Sequence, residues 1–405
     1  MTEGGFRPKS PKGLPLPAAV ERTLVSRDGD PSSNTPHGRS PLRFDMGAPI
    51  ESARTLPVVA YTDGSLTRAE HDAAFLPSFQ FVAHRSQLSA PGAFVTTDTV
   101  FGPVLLSCGA DGLIRAFRNV CRHRAARVET RAAGSARAFS CPYHGWTYDL
   151  DGRLRLVPEA PNGDALCREE RGLVPLDLQA WGPWLFVRLK RNPMPLDAFL
   201  DGLAQVESSH AWEDYVWAER REYTVECNWK VYVDNYLDGG YHVNPVHPEL
   251  GKALDYPAYT TEVFVRSSVQ RAPLRSAGKA LARRGDEARY HWVYPNFMLN
   301  VYEGVVDTNV VIPLTESRCK VVFDFYFARN TSAGADPAKD AESIRRSLEV
   351  AEKVQQEDMA ICEDVQRGLG TGAWESGRFC ARREAGVLHF HRLVATDMER
   401  TLVRP

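Results

Sequence analysis

Two mixed ligand loops constrain this chain more than anything else in it. Cys121-Arg122-His123 is followed, after 17 residues, by Cys141-Pro142-Tyr143-His144. Each loop offers one thiolate and one imidazole, so the pair supplies two sulfurs and two nitrogens. A 2Fe–2S cluster in which two Cys hold one iron and two His hold the other needs that set. Neutral imidazoles in place of two thiolates make such a cluster less negative and raise its reduction potential. Pro142 and Gly145 suit a tight metal-binding loop. A structural zinc site also takes two Cys and two His, but its usual spacing pairs Cys with Cys and His with His. The mixed loops fit that pattern poorly, and the iron–sulfur reading is preferred. The other six cysteines (Cys108, Cys167, Cys227, Cys319, Cys362 and Cys380) are scattered and read as small core residues. Eight in 405 residues are too few for a disulfide scaffold.

The surroundings of these loops read as strands. Between about 79 and 190, FQFVAH, AFVTTDTVFGPVLLSC, LIRAFRNVC, RAFSCPYH, TYDLDGRLR and GPWLFVRL are rich in β-branched and aromatic residues and separated by turn signals. This predicts a small antiparallel β domain with loops projecting from one end. Past about 200 the pattern mixes. VYPNFMLNVYE, DTNVVIPL and CKVVFDFYFAR read as central strands, and 339–369 as one long helix ended by Gly370. Residues 268–289 are basic and read as a solvated excursion, with a docking surface for an acidic electron-transfer partner as the less favoured alternative. The expected class is α+β. Residues 1–45 form a polar, flexible extension, 46–200 an all-β iron–sulfur domain with a flanking piece of the catalytic domain, and 201–405 a catalytic domain with an antiparallel sheet flanked by helices.

A second constellation lies in the C-terminal half. Asn235, Asp238, His242 and His247 fall within one short stretch. Five residues of regular helix would rotate the two imidazoles about 140° apart. Pro245 cannot sit in a continuous helix there, so the chain is expected to turn between them. The third ligand is sought on the long helix. Ile344, Leu348, Ala351, Val354, Cys362, Val365 and Leu369 form an apolar stripe in steps of three and four, with one gap, and Asp358 fills the gap. A carboxylate in a buried stripe is costly unless it meets a cation. Two His and one carboxylate on one face leave positions open for dioxygen and substrate, as in non-haem Fe(II) oxygenases. A core histidine and an Asp–Arg pair are the plainer alternatives.

Taken together, these motifs resemble the α subunit of Rieske non-haem iron oxygenases. NWKVYVDNYLDGGYHVNPVH, QEDMAICEDVQRGL and the late GRF and EAGVLHFH are similar to its choline-monooxygenase-like branch. The resemblance implies that Cys121, His123, Cys141 and His144 hold a Rieske cluster, and that His242, His247 and Asp358 hold a mononuclear Fe(II). It implies a homotrimer in which the cluster of one subunit feeds the iron of the next through an acid, here Asp238, before the first iron-binding His. Asn235 is expected to orient a ligand or the open site.

The expected activity is hydroxylation of a C–H bond by dioxygen, extending to N-demethylation, on a quaternary-ammonium or betaine-like compound. Aromatic or polycyclic ring hydroxylation is the alternative, and a non-catalytic electron carrier the remote one. Trp292, Tyr294, Phe297, Asn300 and Tyr302 lie on a strand-like run whose alternate side chains are candidates for the substrate pocket. The chain has no GxGxxG loop in convincing context, so electrons from NAD(P)H are expected through a separate reductase or ferredoxin. Basic and acidic residues nearly cancel, 49 against 51, which argues against a nucleic-acid or membrane-surface partner. The absence of a secretory-type apolar leader predicts a cytoplasmic protein.

Overall fold

The computed structural model describes residues 42, 44–159, 168–189, 193–275, 285–329 and 337–402. The extension expected over 1–45 therefore lies outside the described residues except for Leu42, Phe44 and Asp45.

The N-terminal half is built from strands, as expected. β1 (Gln80–His84), β2 (Ala93–Thr99), β3 (Gly102–Cys108), β4 (Ile114–Arg118), β5 (Ala133–Ser135), β6 (Phe139–Ser140), β7 (Thr147–Tyr148), β8 (Leu154–Leu156), β9 (Asp177–Trp181) and β10 (Trp184–Arg188) form three small sheets. Their orders are β1-β10-β9, β4-β3-β2-β5 and β6-β7-β8, all paired antiparallel. Phe94, Phe117, Phe139, Trp146 and Tyr148 pack together beneath the two ligand loops.

The C-terminal half carries one seven-stranded antiparallel sheet. It contains β11 (Tyr215–Val225), β12 (Thr260–Val263), β13 (Ser267–Pro273), β14 (Glu287–Val293), β15 (Phe297–Tyr302), β16 (Val305–Thr315) and β17 (Arg318–Ala328), in the order β11-β17-β16-β15-β14-β13-β12. Three helices flank it: α1 (Trp229–Leu237), α2 (Pro337–Leu369) and α3 (Ala385–Leu402). Strand alternation sorts the core. Leu299, Val301, Val306 and Ile312 point to the side shared with Phe81, Trp184 and Phe186. Met298 and Val311 point to the other side, toward Trp229 and Phe390 of the helices. Leu56, Tyr61 and Phe75, far upstream, belong to that same helical-side cluster.

Several expectations need correction. The stretch 268–289 is not a solvated excursion at its ends. Most of β13 and Ala288 of β14 are buried, and Arg271 is paired with Glu287 at 3.1 Å. Residues 276–284 lie outside the described residues, so the docking alternative rests on no described surface. The helix α2 starts two residues earlier than expected and ends as expected at Leu369. Val365 drops out of its stripe, being 44% exposed. Glu352, which falls off the stripe, accepts hydrogen bonds from Arg221 and Tyr223 at 2.8 and 2.6 Å.

His84 sits where the two halves meet, with its ring edge-on to Trp184 (4.9 Å) and tilted against Tyr326 (5.0 Å). Its Nδ1 accepts the Ser86 N–H at 3.2 Å. Burial pulls the imidazolium from its ordinary 6.5 down to about 4. Between those values the unfolded chain binds a proton that the folded chain refuses, so stability falls as pH falls through the window. At roughly 1.4 kcal/mol per pKa unit the contribution approaches about 3 kcal/mol at the acid end. Denaturant titrations between about pH 4 and 7 should show that loss, and His84→Gln should flatten it.

Candidate iron centres and substrate cavity

The second constellation is assembled by α1 and α2. Asn228 caps α1, its Oδ1 accepting the Lys230 N–H at 2.9 Å. After Leu237 the chain must reverse tightly. Gly239 and Gly240 do so at φ +69° and +71°. A Cβ at Gly239 would stand 2.2 Å from the Arg383 carbonyl oxygen, and one at Gly240 would stand 2.8 Å from the Tyr259 ring. Only glycine fits both the conformation and the space.

The turn between the imidazoles differs from the one expected. Pro245 does not break the chain. It lies inside one short helical turn, Val243–Val246, at a first-turn position that proline tolerates. The backbone leaves helical geometry at His247 (φ −119°, ψ 67°). That exit, together with the glycine reversal before His242, brings the rings to 5.1 Å between centroids.

Both rings are held from behind. Asp238 Oδ2 lies 2.6 Å from His242 Nδ1, and Glu357 Oε2 lies 2.7 Å from His247 Nδ1. A ring that donates Nδ1–H to a carboxylate presents a bare Nε2 on its other side. Both Nε2 atoms face Asp358 Oδ1, at 3.6 Å for His242 and 3.0 Å for His247. Asn235 Nδ2 donates to the same oxygen at 2.7 Å. Among the described residues, His242, His247 and Asp358 alone form a group of three or more such ligands whose atoms all lie within 4.8 Å of one another. Burial opposes a charge on His247, yet its hydrogen bonds to Asp358 and Glu357 raise its pKa above the ordinary value. The site is thus poised for positive charge, and its donor set suits a divalent iron.

Asp238 and Asn235 thus both touch this group, Asp238 through His242 and Asn235 through Asp358. Glu357 was missed. Its only sequence signal is its place next to Asp358 on α2, and the helix turns it to a different neighbour.

A cavity of about 120 Å³ opens beside this group, lined by Tyr232, Tyr236, Tyr259, Tyr290, Tyr302, Phe323, Asn300, Asp307 and Asn309 among others. Of the five expected pocket residues, Asn300 and Tyr302 line it. Trp292, Tyr294 and Phe297 do not. Phe297 points to the opposite face of the sheet, against Phe81 and Phe186 at 5.5 and 5.2 Å. Trp292 and Tyr294 are on the helical side but lie beyond the cavity, packed against Phe390 of α3. Tyr294 Oη also donates to Asp397 at 2.9 Å.

The two Cys-His loops share one backbone pattern. Cys121 N–H donates to the Ala126 carbonyl and Ala125 N–H to that of Cys121, at 2.8 and 3.0 Å. Cys141 N–H donates to the Trp146 carbonyl and Gly145 N–H to that of Cys141, again at 2.8 and 3.0 Å. Ala125 and Gly145 are both left-handed, at φ 60° and 72°. Cys121 and Cys141 are buried, and His123 and His144 are exposed. The Nδ1 atoms of the two imidazoles lie 3.1 Å apart, and His123 stacks on Trp146 at 5.0 Å. A thiol pair inside and an imidazole pair outside suit a cluster with one iron per pair.

The remaining cysteines are less scattered than expected. Cys227 and Cys319 approach to 4.0 Å between sulfurs, and Cys362 joins them. Cys380 is half-buried rather than core, and Cys167 lies outside the described residues.

A β domain with two Cys-His loops and a helix-flanked sheet with a two-His-one-carboxylate group define an oxygenase with two iron centres. The Rieske 2Fe–2S domain family matches residues 78–176, and the catalytic domain of ring-hydroxylating α subunits matches residues 212–400. Chloroplastic choline monooxygenase of Arabidopsis thaliana is 37% identical over 373 residues, covering 88% of this chain and 86% of that protein. The carnitine monooxygenase oxygenase subunit of Escherichia coli is 28% identical, covering 85% and 94%. The crystal structure of the quaternary ammonium Rieske monooxygenase CntA with its substrate L-carnitine aligns with a TM-score of 0.73 at 27% identity, covering 86% of this chain and 96% of that one. The chain belongs to the Rieske non-haem iron oxygenases, as an oxygenase α subunit. Its cofactors are a Rieske cluster and a mononuclear iron.

Metal analysis with visible spectroscopy tests the ligand assignment. Asp358→Ala should lose the mononuclear iron and keep the visible absorption of the cluster, whereas Cys141→Ala should lose that absorption. Glu357→Ala should keep the colour while affinity for the mononuclear iron falls roughly 10–100-fold, as when a ligand's orienting partner is removed.

Proposed function

We propose that this chain hydroxylates a C–H bond of a small quaternary-ammonium compound. The observation that carries the reading is the tyrosine wall facing the candidate iron ligands. Tyr290 stands at its corner, parallel to Tyr259 at 6.3 Å (12°) and perpendicular to Tyr302 at 5.9 Å (81°). A permanent cation is attracted to aromatic faces, most strongly where water is excluded. Choline and carnitine are the compounds named for the relatives.

In this reading His242, His247 and Asp358 hold the mononuclear iron, and Cys121, His123, Cys141 and His144 the cluster. The iron centres supply reductive activation of dioxygen. The chain's own residues do the rest. Asp238 and Glu357 keep the Nε2 lone pairs of the two imidazoles turned inward, and the Asn235 amide fixes the Asp358 carboxylate. The tyrosines hold the cationic head so that one C–H bond faces the open side of the site. The overall change joins the C–H bond, dioxygen, two electrons and two protons to give an alcohol and water. Hydroxylation of an N-methyl group would give a carbinolamine that releases an aldehyde.

The reading includes a cytoplasmic homotrimer fed by a separate reductase or ferredoxin. Exposed His123 and His144 support it, because they leave the cluster edge open to a second protein surface. In the trimer Asp238 would bridge His242 to the neighbouring subunit's cluster. No described helix is long and apolar enough to cross a membrane.

The reading is tested with iron-replete protein, a surrogate reductase and NADH. Choline or L-carnitine should stimulate dioxygen uptake, with labelled oxygen entering the organic product. Stimulation by a fused-ring arene, with neither cation active, would replace this reading by ring hydroxylation.

A further inference from the structure

Three thiols are buried together where no step of the proposed reaction uses them. Cys227 lies between β11 and α1, Cys319 on β17 and Cys362 on α2. None is more than 1% exposed. The Sγ atoms of Cys227 and Cys319 are 4.0 Å apart, and the Cys362 thiol reaches Cys227 as well. Hydrogen bonds from Cys319 and Cys362 hold the Cys227 thiol below its usual range, and both partners are held above theirs. One sulfur of the group is thus the better nucleophile, with a second thiol beside it to complete a disulfide.

The group stands behind the cavity. Cys362 follows Asp358 by one turn of α2, about 6 Å along the helix. Tyr232 lines the cavity and belongs to the same buried cluster as the three cysteines. Burial keeps these thiols from oxidants in bulk water, but not from one formed in the neighbouring cavity. An oxygenase brings dioxygen and electrons to that place. Two electrons and two protons turn dioxygen into hydrogen peroxide whenever no C–H bond takes up the oxygen.

We propose that Cys227 and Cys319 are an oxidisable pair, which hydrogen peroxide made in the cavity joins as a disulfide, loosening the iron site until a thiol reductant reopens it. The Cys227 sulfur attacks the O–O bond, giving a sulfenic acid and hydroxide. The Cys319 sulfur then attacks the sulfenic sulfur, and the S–O bond breaks as water leaves with the thiol proton. In sum, two thiols and one hydrogen peroxide give one disulfide and two waters. The sulfurs must close from 4.0 Å to a bonding length of about 2.05 Å. Cys227 adjoins Asn228, the cap of α1, whose N–H donates to Gln366 of α2 at 2.8 Å and whose side chain donates to the Glu316 carbonyl at 2.7 Å. Further along α1, Asn235 holds the candidate ligand Asp358. Drawing the start of α1 toward β17 therefore disturbs the support of that ligand.

The test turns over the iron-replete protein in air with a surrogate reductase and NADH and without substrate, followed by alkylation and peptide mass spectrometry. A linked Cys227–Cys319 peptide pair should appear before Cys380 is oxidised, although Cys380 is the more exposed. In competition with a chelator, affinity for the mononuclear iron should fall on the order of tenfold, the scale for a disturbed ligand support, and recover with dithiothreitol. Cys319→Ser should form no pair and keep its iron through the same treatment. The peptide map of the unaltered protein decides the matter even where that variant folds poorly. The pair is overturned if both thiols stay alkylatable, in turnover or with hydrogen peroxide added directly, or if the link forms and iron affinity is unchanged. A link from Cys227 to Cys362 in its place overturns the pairing.

Discussion

Everything at the catalytic end depends on two imidazoles being held by carboxylates from behind. Asp238 and Glu357 each take one Nδ1–H, so both Nε2 atoms converge on Asp358. The arrangement is expensive as bare protein. Three carboxylates crowd two imidazoles in a half-buried place, and only positive charge between the rings offsets the repulsion. It also fixes what the helices must do. Glu357 and Asp358 are neighbours on α2, so one helix supplies both a candidate ligand and the group behind another, and its rotation admits no slack. Asp238 reaches back four residues to His242 only because Gly239 and Gly240 take up the reversal.

The nine-residue helix α1 links this site to the rest of the molecule. On its inner face Asn235 bonds to Asp358 and Tyr236 to Asn300. On another face Asp234 accepts from the Tyr61 hydroxyl at 2.7 Å and meets His391 of α3 at 2.9 Å. Near its start the ammonium of Lys230, wholly buried, pairs with Glu70, which also accepts from the Trp229 indole at 2.9 Å. A buried pair of that kind adds little net stability, but breaking it strands a charge. It fits α1 to one position against the segment around residues 56–75, and the iron-site geometry inherits that position.

How much of this could be read from the sequence follows the range of the interaction. The Cys-His loops were legible because all four candidate ligands lie within two tight turns whose spacing is itself the signal. Asp358 was legible because an acid interrupting a stripe with steps of three and four is anomalous whatever packs on it. Asn235 and Asp238 were found through likeness to a family motif. Glu357 and Asp307 carried no local mark. Their places come from helix rotation and from the β15–β16 register, which one sequence does not reveal. The same limit explains Trp292, Tyr294 and Phe297. Alternation alone could not say which sheet face met the cavity, nor where α3 would cover that face.

The iron–sulfur end shows the opposite economy. Its sulfurs are buried over Phe117, Phe139 and Tyr148, while its imidazoles and Tyr143, 57% exposed, stand at the surface. Burying the thiolates shields the more negative pair from water and oxidants, and hydrogen bonds near the sulfurs tune the potential. Tyr148 supplies one such contact, its hydroxyl 3.3 Å from Cys121 Sγ. Exposing the imidazoles would serve no purpose in a cluster meant only for storage. It serves transfer, because an electron leaves most readily where the cluster's own ligands can touch the acceptor's surroundings. The iron site is complete within one chain, yet its rear support Asp238 is only partly buried, with 13% of its side chain exposed. In the proposed trimer the exposed imidazole edge of one subunit would meet the partly open acid of the next, so that a closed ring of identical subunits leaves neither end unmatched.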